Sequence, residues 1–473
     1  MPSTDSPALI VARYLKSNNY TETYDAFVAE AGLSHDAGNV TKGDLDLETL
    51  LDEKKNFDIA VKFEKLGLED ENTGWRQPSP EKAKIIGTLP TSSNILSASV
   101  EEFSDEDGTT QQLLLATTAD KRINILNMSD KSLQASHTTI HDAPALSATV
   151  LGHNTLLTTS MSGQLHLSSL SGKSLSQRRD HSKYVVKVAI LDDKLNNTTI
   201  VATAGWDTQV VLYSIDSGSE SLALAEPTAT IPLQTKPEAL LFTRHPENNQ
   251  PVLILSRTDS NNIFFYSLPS PEGEGPRLLG QQNLAPHSNA WVAFTPSALE
   301  LSPIDPTLLA VGTSSIPHMK LLLVRLLYPP YNPVPERPAA IVLRTSLLDD
   351  GPAPAGQETQ ASQARAELVV AEREFAAIQI HATTMAPQTA YSTPAVAWRP
   401  DGSGIWVNGD DGAVRGIEAS TGKVVCTLRE GGHEPGSKVR CLWAGNVRDS
   451  DGEGEKEVLV SGGFDRRLIV WEV

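Results

Sequence analysis

A histidine pair is the first feature of this chain whose residue types and spacing could support chemistry. His137 and His141 stand four positions apart, and on a helix that spacing places two imidazoles on one face for a metal ion. No cysteine lies nearby, and the intervening residues lack the glutamate of an H-E-x-x-H motif. We therefore predict no metal site at these histidines.

A glycine-containing stretch and two aspartates are the other candidates. EGEGPRLLG, at residues 272–280, lacks the preceding strand and following helix that would hold a phosphate, so we interpret it as a loop. Asp207 lies in VATAGWDTQVVLYSI, and Asp465 lies in VLVSGGFDRRLIVWEV. The chain offers no serine or cysteine nucleophile signature with a plausible base to accompany them. We expect no cofactor and no enzymatic activity.

Composition narrows the class of partner. The chain has 473 residues, and its 39 basic and 58 acidic residues give a formal charge of -19. Such an acidic chain is a poor match for direct nucleic-acid binding or for an anionic membrane surface. The partners that we expect are other proteins.

Cysteine usage and the apolar pattern indicate the compartment. Cys426 and Cys441 are the only two cysteines in the sequence, too few and too far apart for a disulfide framework or a C-x-x-C pair. The first residues, MPSTDSPALIVARYLK, show no basic region and no cleavage site, and no stretch approaches the roughly 18 apolar residues of a membrane helix. We expect a cytoplasmic or nuclear protein without membrane insertion.

The two aspartates belong to a repeated pattern. In both runs a strand of small residues ends in glycine, an aromatic residue precedes the aspartate, and a large aromatic residue follows six positions later. Weaker copies surround Asp120, Ser162, Asp259 and Asp411, and LLAVGTSSIPHMKLLLV is a copy that has lost the aspartate. Seven units of alternating strands and tight turns account for residues 81–473.

This pattern resembles the WD repeats, which implies a mainly β fold: a seven-bladed β-propeller of four-stranded blades. In that family the turn aspartate accepts hydrogen bonds from a histidine, and a strand serine or threonine and the aromatic residue complete a buried chain. The resemblance implies eight structural turn residues in units three and seven: His181, Thr203, Asp207, Tyr213, His433, Ser461, Asp465 and Trp471. The other units lack at least one member, so other contacts must hold their turns.

Ring closure and one insertion complete the propeller prediction. The last unit is one strand short at Val473, and we predict that residues 82–90 supply that strand, because pairing the two ends removes two exposed edges. Residues 329–390 interrupt the repeat with proline-rich and polar segments, so we predict an insertion after blade five. Within it AELVVAEREFAAI has helical spacing, and AAIQIHATT is a candidate return strand. The insertion is either a tolerated loop expansion or a binding element.

The first residues have helical spacing. In PALIVARYLKSNNYTETYDAFVAEAGL the apolar stripe is predicted to include Tyr20, Thr23, Phe27 and Ala31, with a break at residues 17–19 and a stop at Gly32. Tyr14-Leu15, Tyr20 and the Phe27-x-x-Glu30 pair resemble the LisH motif, a short helical module that makes homodimers. The resemblance implies a dimerisation module at residues 1–35 with four core residues: Tyr14, Leu15, Tyr20 and Phe27. The alternative is a helical hairpin docked on the chain's own next domain.

Residues 36–80 are predicted to form a helical extension and an acidic linker. The extension could lengthen the dimer interface or dock the first module. The linker contains Trp75, which either packs on the next domain or serves as an exposed anchor for a partner.

The residues that we expect to bind a partner lie beside the turn aspartates and at the start of each blade's first strand. This predicted protein-binding rim comprises Tyr184, Trp206, Lys438, Arg440 and Phe464. Aromatic residues and arginine dominate interface energetics, although Trp206 and Phe464 could instead cap their own blades. A residue in this position can be mutated without loss of the fold, and we expect this of Trp206.

The resulting prediction is a dimeric interaction scaffold. Families that combine the two modules include Lis-type dynein regulators, transducin-beta-like corepressor subunits and subunits of multisubunit ubiquitin ligases. A ligase subunit is thus an alternative, although the arginine that cullin-4-type receptors carry two positions after a final W-D pair has no counterpart after Trp471. A propeller enzyme with a site in the central channel is the alternative of another class.

Overall fold

The computed structural model describes residues 7–39, 47, 74–104, 110–152, 154–193, 198–216, 223–269, 275–288, 290, 292–332, 341–343, 357–448 and 454–473. The chain forms two compact units, Met1–Thr73 and Gly74–Val473. No helix within these described ranges combines the length and the apolar character needed to cross a membrane. Most of the extension and linker predicted at residues 36–80, namely 40–46 and 48–73, lies outside them.

The first unit is a helical hairpin of α1 (Pro7–Ser17) and α2 (Thr21–Glu30). Its small core is formed by Ala12, Tyr24 and Val28, and the Tyr24 hydroxyl donates a hydrogen bond of 2.9 Å to the carbonyl oxygen of His35. The predicted stripe is therefore wrong by one residue in α2, where Thr23 and Ala31 are exposed. Tyr24 and Val28 are four residues apart and share the inward face instead.

The second unit contains seven four-stranded antiparallel sheets within its described residues, so the predicted seven-bladed, mainly β propeller after a helical module is confirmed. From the innermost strand outward, blade one comprises β2 (Ile95–Ser104), β3 (Thr110–Thr118), β4 (Ile123–Asn127) and β5 (Leu133–His137), and blade two comprises β6 (Ala145–Leu151), β7 (Thr155–Ser160), β8 (Leu165–Ser169) and β9 (Ser174–Arg178). Blade three comprises β10 (Val185–Asp193), β11 (Thr198–Gly205), β12 (Gln209–Asp216) and β13 (Ala229–Pro232), and blade four comprises β14 (Pro237–Arg244), β15 (Pro251–Arg257), β16 (Asn262–Ser267) and β17 (Leu278–Asn283). Blade five comprises β18 (Pro296–Leu301), β19 (Leu308–Thr313), β20 (His318–Arg325) and β23 (Ile378–Pro387), and blade six comprises β24 (Val396–Trp398), β25 (Gly404–Val407), β26 (Val414–Glu418) and β27 (Val424–Leu428). Blade seven comprises β28 (Val439–Arg448), β29 (Glu455–Gly463), β30 (Leu468–Glu472) and β1 (Lys82–Ile85).

Burial explains the residue pattern of the blades. The second and third strands lie between neighbouring sheets, so they are covered on both faces and read as almost continuous runs of apolar and small residues. Outermost strands such as β9, with the sequence SLSQR, are largely exposed and polar. Apolar clusters fill the spaces between blades, for example Leu114 and Leu126 of blade one against Val460 and Val470 of blade seven.

The ring closes through the two ends of the second unit. Strand β1 pairs antiparallel with β30, with Lys82 opposite Glu472 and Ile85 opposite Ile469. Residues 82–85, which the sequence placed in the closing segment, thus form the outermost strand of blade seven. This pairing covers the edge of β30, and β1 becomes the outermost strand of blade seven, as the fourth strand is in the other blades.

The insertion lies inside blade five, before its outermost strand, and not after the blade as the boundaries 329–390 placed it. Strand β20 ends at Arg325, and the chain returns as β23, which pairs with β20. The described part of the excursion contains β21 (Ile341–Leu343), which pairs in parallel with β22 (Gln357–Thr359), and α3 (Gln360–Ala377). Blade five needs β23 because β20 would otherwise present an unpaired edge.

Trp75 packs on the propeller. Its ring meets that of Trp406 edge-on, with 5.0 Å between centroids, and the Arg399 guanidinium lies 4.5 Å from the Trp75 ring. Arg399 also forms a buried ion pair with Glu457 and donates a hydrogen bond to the carbonyl oxygen of Arg76. Residues from Gly74 onward therefore belong to the propeller unit.

Candidate protein interface

The turns between second and third strands all lie at one end of the propeller, which we call the turn end. In five blades the residue after the aspartate position adopts a left-handed backbone conformation, as the tight turn requires. These residues are Lys121, Gly163, Thr208, Gly412 and Arg466. Asp259 itself adopts the left-handed backbone conformation, so in blade four Thr258 occupies the position that aspartate has in the other turns.

In blade three a histidine joins the turn to the strand beneath it. His181 Nδ1 lies 3.0 Å from Asp207 Oδ1, and His181 Nε2 lies 2.9 Å from Thr203 Oγ1. Ser182 donates its backbone N–H to the same carboxylate at 2.9 Å. The hydroxyl of Tyr213 donates to Asp180 instead of ending this chain. Every observed contact of Asp207 therefore stabilises its turn.

Blade seven contains the longer chain of hydrogen bonds. Trp471 Nε1–H donates to Ser461 Oγ at 2.8 Å, and Ser461 Oγ lies 2.9 Å from His433 Nε2. His433 Nδ1 lies 3.0 Å from both oxygens of Asp465, whose side chain is completely buried. All four predicted residues of this unit are in contact. With Nδ1 protonated, His433 donates to the carboxylate and accepts from the serine hydroxyl.

Other contacts hold the turns of the remaining units. In blade two His141 occupies the position that His181 and His433 hold in blades three and seven, and its Nε2 lies 2.8 Å from Thr158 Oγ1. His137 contacts the carbonyl oxygen of Leu170. Asp120 and Asp411 are held by ion pairs with neighbouring arginines. Across the described ranges no group of three or more histidine, cysteine, aspartate or glutamate side chains is arranged to hold a metal ion.

The turn end of blade three carries an exposed pair of rings, the aromatic stack of Tyr184 and Trp206. Their centroids are 5.1 Å apart with an interplanar angle of 23°, and 40% and 38% of the two residues are exposed. The Trp206 backbone N–H donates to the carbonyl oxygen of Tyr184 at 2.9 Å. Lys236, from the start of blade four, places its Nζ 4.8 Å from the Trp206 ring. These contacts fix the stack in one orientation while leaving it accessible.

The predicted residues of blade seven form a separate group. Phe464 is 42% exposed, and its backbone N–H donates to the carbonyl oxygen of Lys438. Lys438 forms an ion pair of 3.0 Å with Asp410. Arg440 is half-buried on the innermost strand β28, where a β-bulge leaves it out of the ladder. The structure therefore divides the predicted rim into two patches separated by blades one and two.

Three charged residues of the innermost strands form what we call the channel mouth: Lys187, Glu238 and Arg440. Burial lowers the pKa of Lys187, and the charge of Arg440 lowers it further. Burial raises the pKa of Glu238, and the charge of Lys187 opposes this increase. Blades three and seven are three positions apart around the ring, so Lys187 and Arg440 interact across the channel.

A recess lies between the innermost strands of blades one, two and three. It has a volume of about 380 Å³ and is lined only by residues of β2, β6 and β10, among them Ser97, Glu101 and Val188. Thr149 donates its hydroxyl to Glu101 at 3.3 Å. Burial raises the pKa of Glu101 above its usual value, and the hydrogen bonds that it accepts oppose this.

Sequence reasoning missed Lys236, Lys187 and Glu238. Lys236 occupies the position of Tyr184 and Lys438, immediately before the first paired residue of an innermost strand. That alignment was available in principle from the repeat, but it depends on locating the β-bulge that opens each strand. Nothing in the sequence shows that Lys187 and Arg440 face each other.

Comparison with protein families identifies the family to which the chain belongs. A family model described as "UCP007778, beta-propeller domain" matches residues 60–273 and 289–472. The chain belongs to the UCP007778 family. A second model of the UCP007778 family, described as its LisH domain, matches residues 8–35. A search of curated proteins finds no match.

The UCP007778 assignment bears on the two resemblances separately. The LisH resemblance is confirmed by the family match over α1 and α2, and the propeller by the match and by the fold. The WD type of the repeats is not part of the matched description and stays a prediction.

Proposed function

We propose that this chain is a non-enzymatic scaffold that dimerises through its LisH domain and binds a protein partner at the turn end of its propeller. The observation that carries the proposal is the exposed aromatic stack of Tyr184 and Trp206. Tyrosine and tryptophan supply large contact areas at low entropic cost, and they are the commonest residues to dominate binding energy at interfaces.

The stack is prepared for binding. The Trp206 backbone hydrogen bond and the Lys236 cation hold the indole in place before any partner arrives. Less conformational freedom is therefore lost on association, which favours affinity. Asp207, next to Trp206, anchors the turn through His181, so the position of the ring is set by a buried network.

The helical unit supports the dimerisation half of the proposal. Only Ala12, Tyr24 and Val28 are buried apolar residues in its described part, and two short helices with so small a core are marginal alone. Leu15 and Phe27 are partly buried against that core, and Tyr20 is 51% exposed. A second copy of the hairpin would cover these side chains.

A dimer of this kind presents two propellers. Two linked binding sites raise the avidity for a repeated or symmetric partner without any new contact. The histidine-centred chains of blades three and seven support a WD-type origin for the repeats. We further propose a cytoplasmic or nuclear location and no direct nucleic-acid binding, in line with the acidic charge.

Tyr20→Glu is expected to abolish dimerisation while leaving the partner-binding surface of the propeller intact. Tyr20 lies outside the hairpin core, so the substitution places a charge in the proposed dimer contact while the hairpin stays folded. In light scattering we expect the wild type at twice the 50.9 kDa chain mass and the variant at the chain mass. Affinity purification with mass spectrometry should recover the same partners with both, in smaller amounts with the variant.

A chain of residues 74–473 is the companion to this variant, because it keeps Trp75 and the whole propeller unit. It should be monomeric and retain partners. A wild-type protein that is already monomeric contradicts the dimer. Loss of all partners by residues 74–473 contradicts the assignment of binding to the propeller.

A further inference from the structure

The channel mouth opens at the same end of the propeller as the exposed aromatic residues. Lys187 follows Val185, which pairs with Gly205 beside Trp206. Arg440 directly follows Val439, which pairs with Gly463 next to Phe464, whereas Lys187 lies two residues after Val185 and pairs with Ala204. A partner that covers the aromatic stack therefore approaches these charges directly.

β-Bulges lie at two of the three charged residues of this mouth, while Lys187 stays in the ladder opposite Ala204. The innermost strands of six blades each have a register shift at their first residues, which leaves one residue out of the ladder. In blade four that residue is Glu238, and in blade seven it is Arg440. Bulges of this kind re-aim side chains and are common at rims and beside binding sites.

The charges at the mouth do not balance. Within the described ranges neither Lys187 nor Arg440 has a carboxylate at ion-pair distance, and Glu238 is the one carboxylate whose charge acts on both cations. Both cations are half-buried, and burial lowers the pKa of each. A half-buried cation without a close partner is unfavourable, and an anion supplied from outside would relieve that cost.

We propose that the partner inserts an acidic side chain into the channel mouth between Lys187 and Arg440, while a neighbouring apolar residue of the same segment covers the aromatic stack. This inference rests on the proposed function, since it concerns the same face. The occupant is a protein segment because the mouth is continuous with the exposed aromatic surface, where Lys236 adds positive charge. Glu238 limits the site to one carboxylate, because it neutralises part of the positive charge.

Peptide display on the full-length protein tests the inference. A random peptide library fused through its carboxyl termini to a phage coat protein offers side-chain carboxylates but no free terminal carboxylate. Wild-type protein should enrich peptides with aspartate or glutamate at one fixed position, near an apolar residue. Lys187→Met and Arg440→Met keep apolar stems of similar length and remove the charges, so binding of the leading peptide should weaken about 30-fold or more.

Arg448→Met is the matched control, because Arg448 is the last residue of the same strand as Arg440 and lies at its opposite end. It should bind the leading peptide as the wild type does. Thermal unfolding of each variant establishes that the propeller is intact, and Trp206→Ala should lose the apolar preference while keeping the acidic one.

Two different failures are distinguishable. Enriched peptides without a preferred acidic position, or with unchanged binding to Lys187→Met and Arg440→Met, overturn the acidic insertion and leave the proposed function standing. A library from which the wild type enriches no peptide contradicts both.

Discussion

Removing Ile469–Val473 is expected to abolish the folded propeller. Strand β30 pairs with β29 on one side and with β1 on the other, so its loss opens the ring, leaves β1 without a partner and exposes an edge of β29. Ile469, Val470 and Trp471 are completely or almost completely buried. Removing each buried side chain costs about 2 to 5 kcal/mol, and the sum of about 10 kcal/mol is comparable to the whole stability of a domain.

Circular dichroism and thermal unfolding measure this effect. The shortened chain should be insoluble, or should lack a cooperative transition. Removal of Val473 alone is the control, because this residue is 40% exposed and lies beyond the last strand. A cooperative transition within a few degrees of the wild type in the shortened chain would show that the closing pair is dispensable.

Asp465→Ala is expected to destabilise the propeller by about 3 to 5 kcal/mol, because it leaves buried donors without their acceptor. The carboxylate accepts hydrogen bonds from His433 Nδ1 and from the backbone N–H groups of Glu434 and Arg467. Asp120→Ala, in the equivalent turn of blade one, is the matched control. Asp120 and its partner Arg122 are partly exposed, so about 1 kcal/mol is expected there. Equal losses in chemical denaturation would contradict the distinct role of the blade seven chain.

Acid should reveal the same interaction. Burial alone would raise the pKa of Asp465, but the hydrogen bond and charge of His433 outweigh it and hold the pKa below 3.8. The folded state therefore stabilises the ionised form, and that contribution is complete above the unfolded pKa and lost as the pH falls through the folded one. The stability difference between wild type and Asp465→Ala should therefore be constant well above pH 3.8 and should shrink as the pH falls below that value. A difference independent of pH would argue against an ionised carboxylate.

The repeat pattern contains enough information for the blades and their turns. Glycine, aromatic residue and aspartate recur because each blade needs the same tight turn, and the repeat spacing places Trp471 six residues after Asp465. The resemblance to WD repeats implies His433 as the partner of that aspartate, and the structure brings the two together. The closing strand follows from counting strands, since an unpaired edge at β30 would be unfavourable.

Other features depend on three-dimensional proximity that spacing does not contain. The partial match of blade two hid the role of His141, because Ser162 replaces the aspartate that would have identified it. The sequence places Arg440 near the start of a blade's first strand, but it does not show the bulge that leaves this residue out of the ladder. Its interaction with Lys187 joins strands of blades that are not neighbours, and no local pattern reports such a contact.

The effect of Trp206→Ala on partner recovery tests the central claim most directly. The full-length wild type, Trp206→Ala and Phe375→Ala would be purified by affinity from the same cells, and co-purifying proteins quantified by mass spectrometry. Phe375 is an exposed aromatic residue of α3 whose ring contacts His287, outside the aromatic stack of blade three, and serves as the control. Trp206→Ala should unfold at the wild-type temperature and lose at least about tenfold of the partners that Phe375→Ala retains. Full partner recovery by a folded Trp206→Ala protein would contradict binding at the turn end.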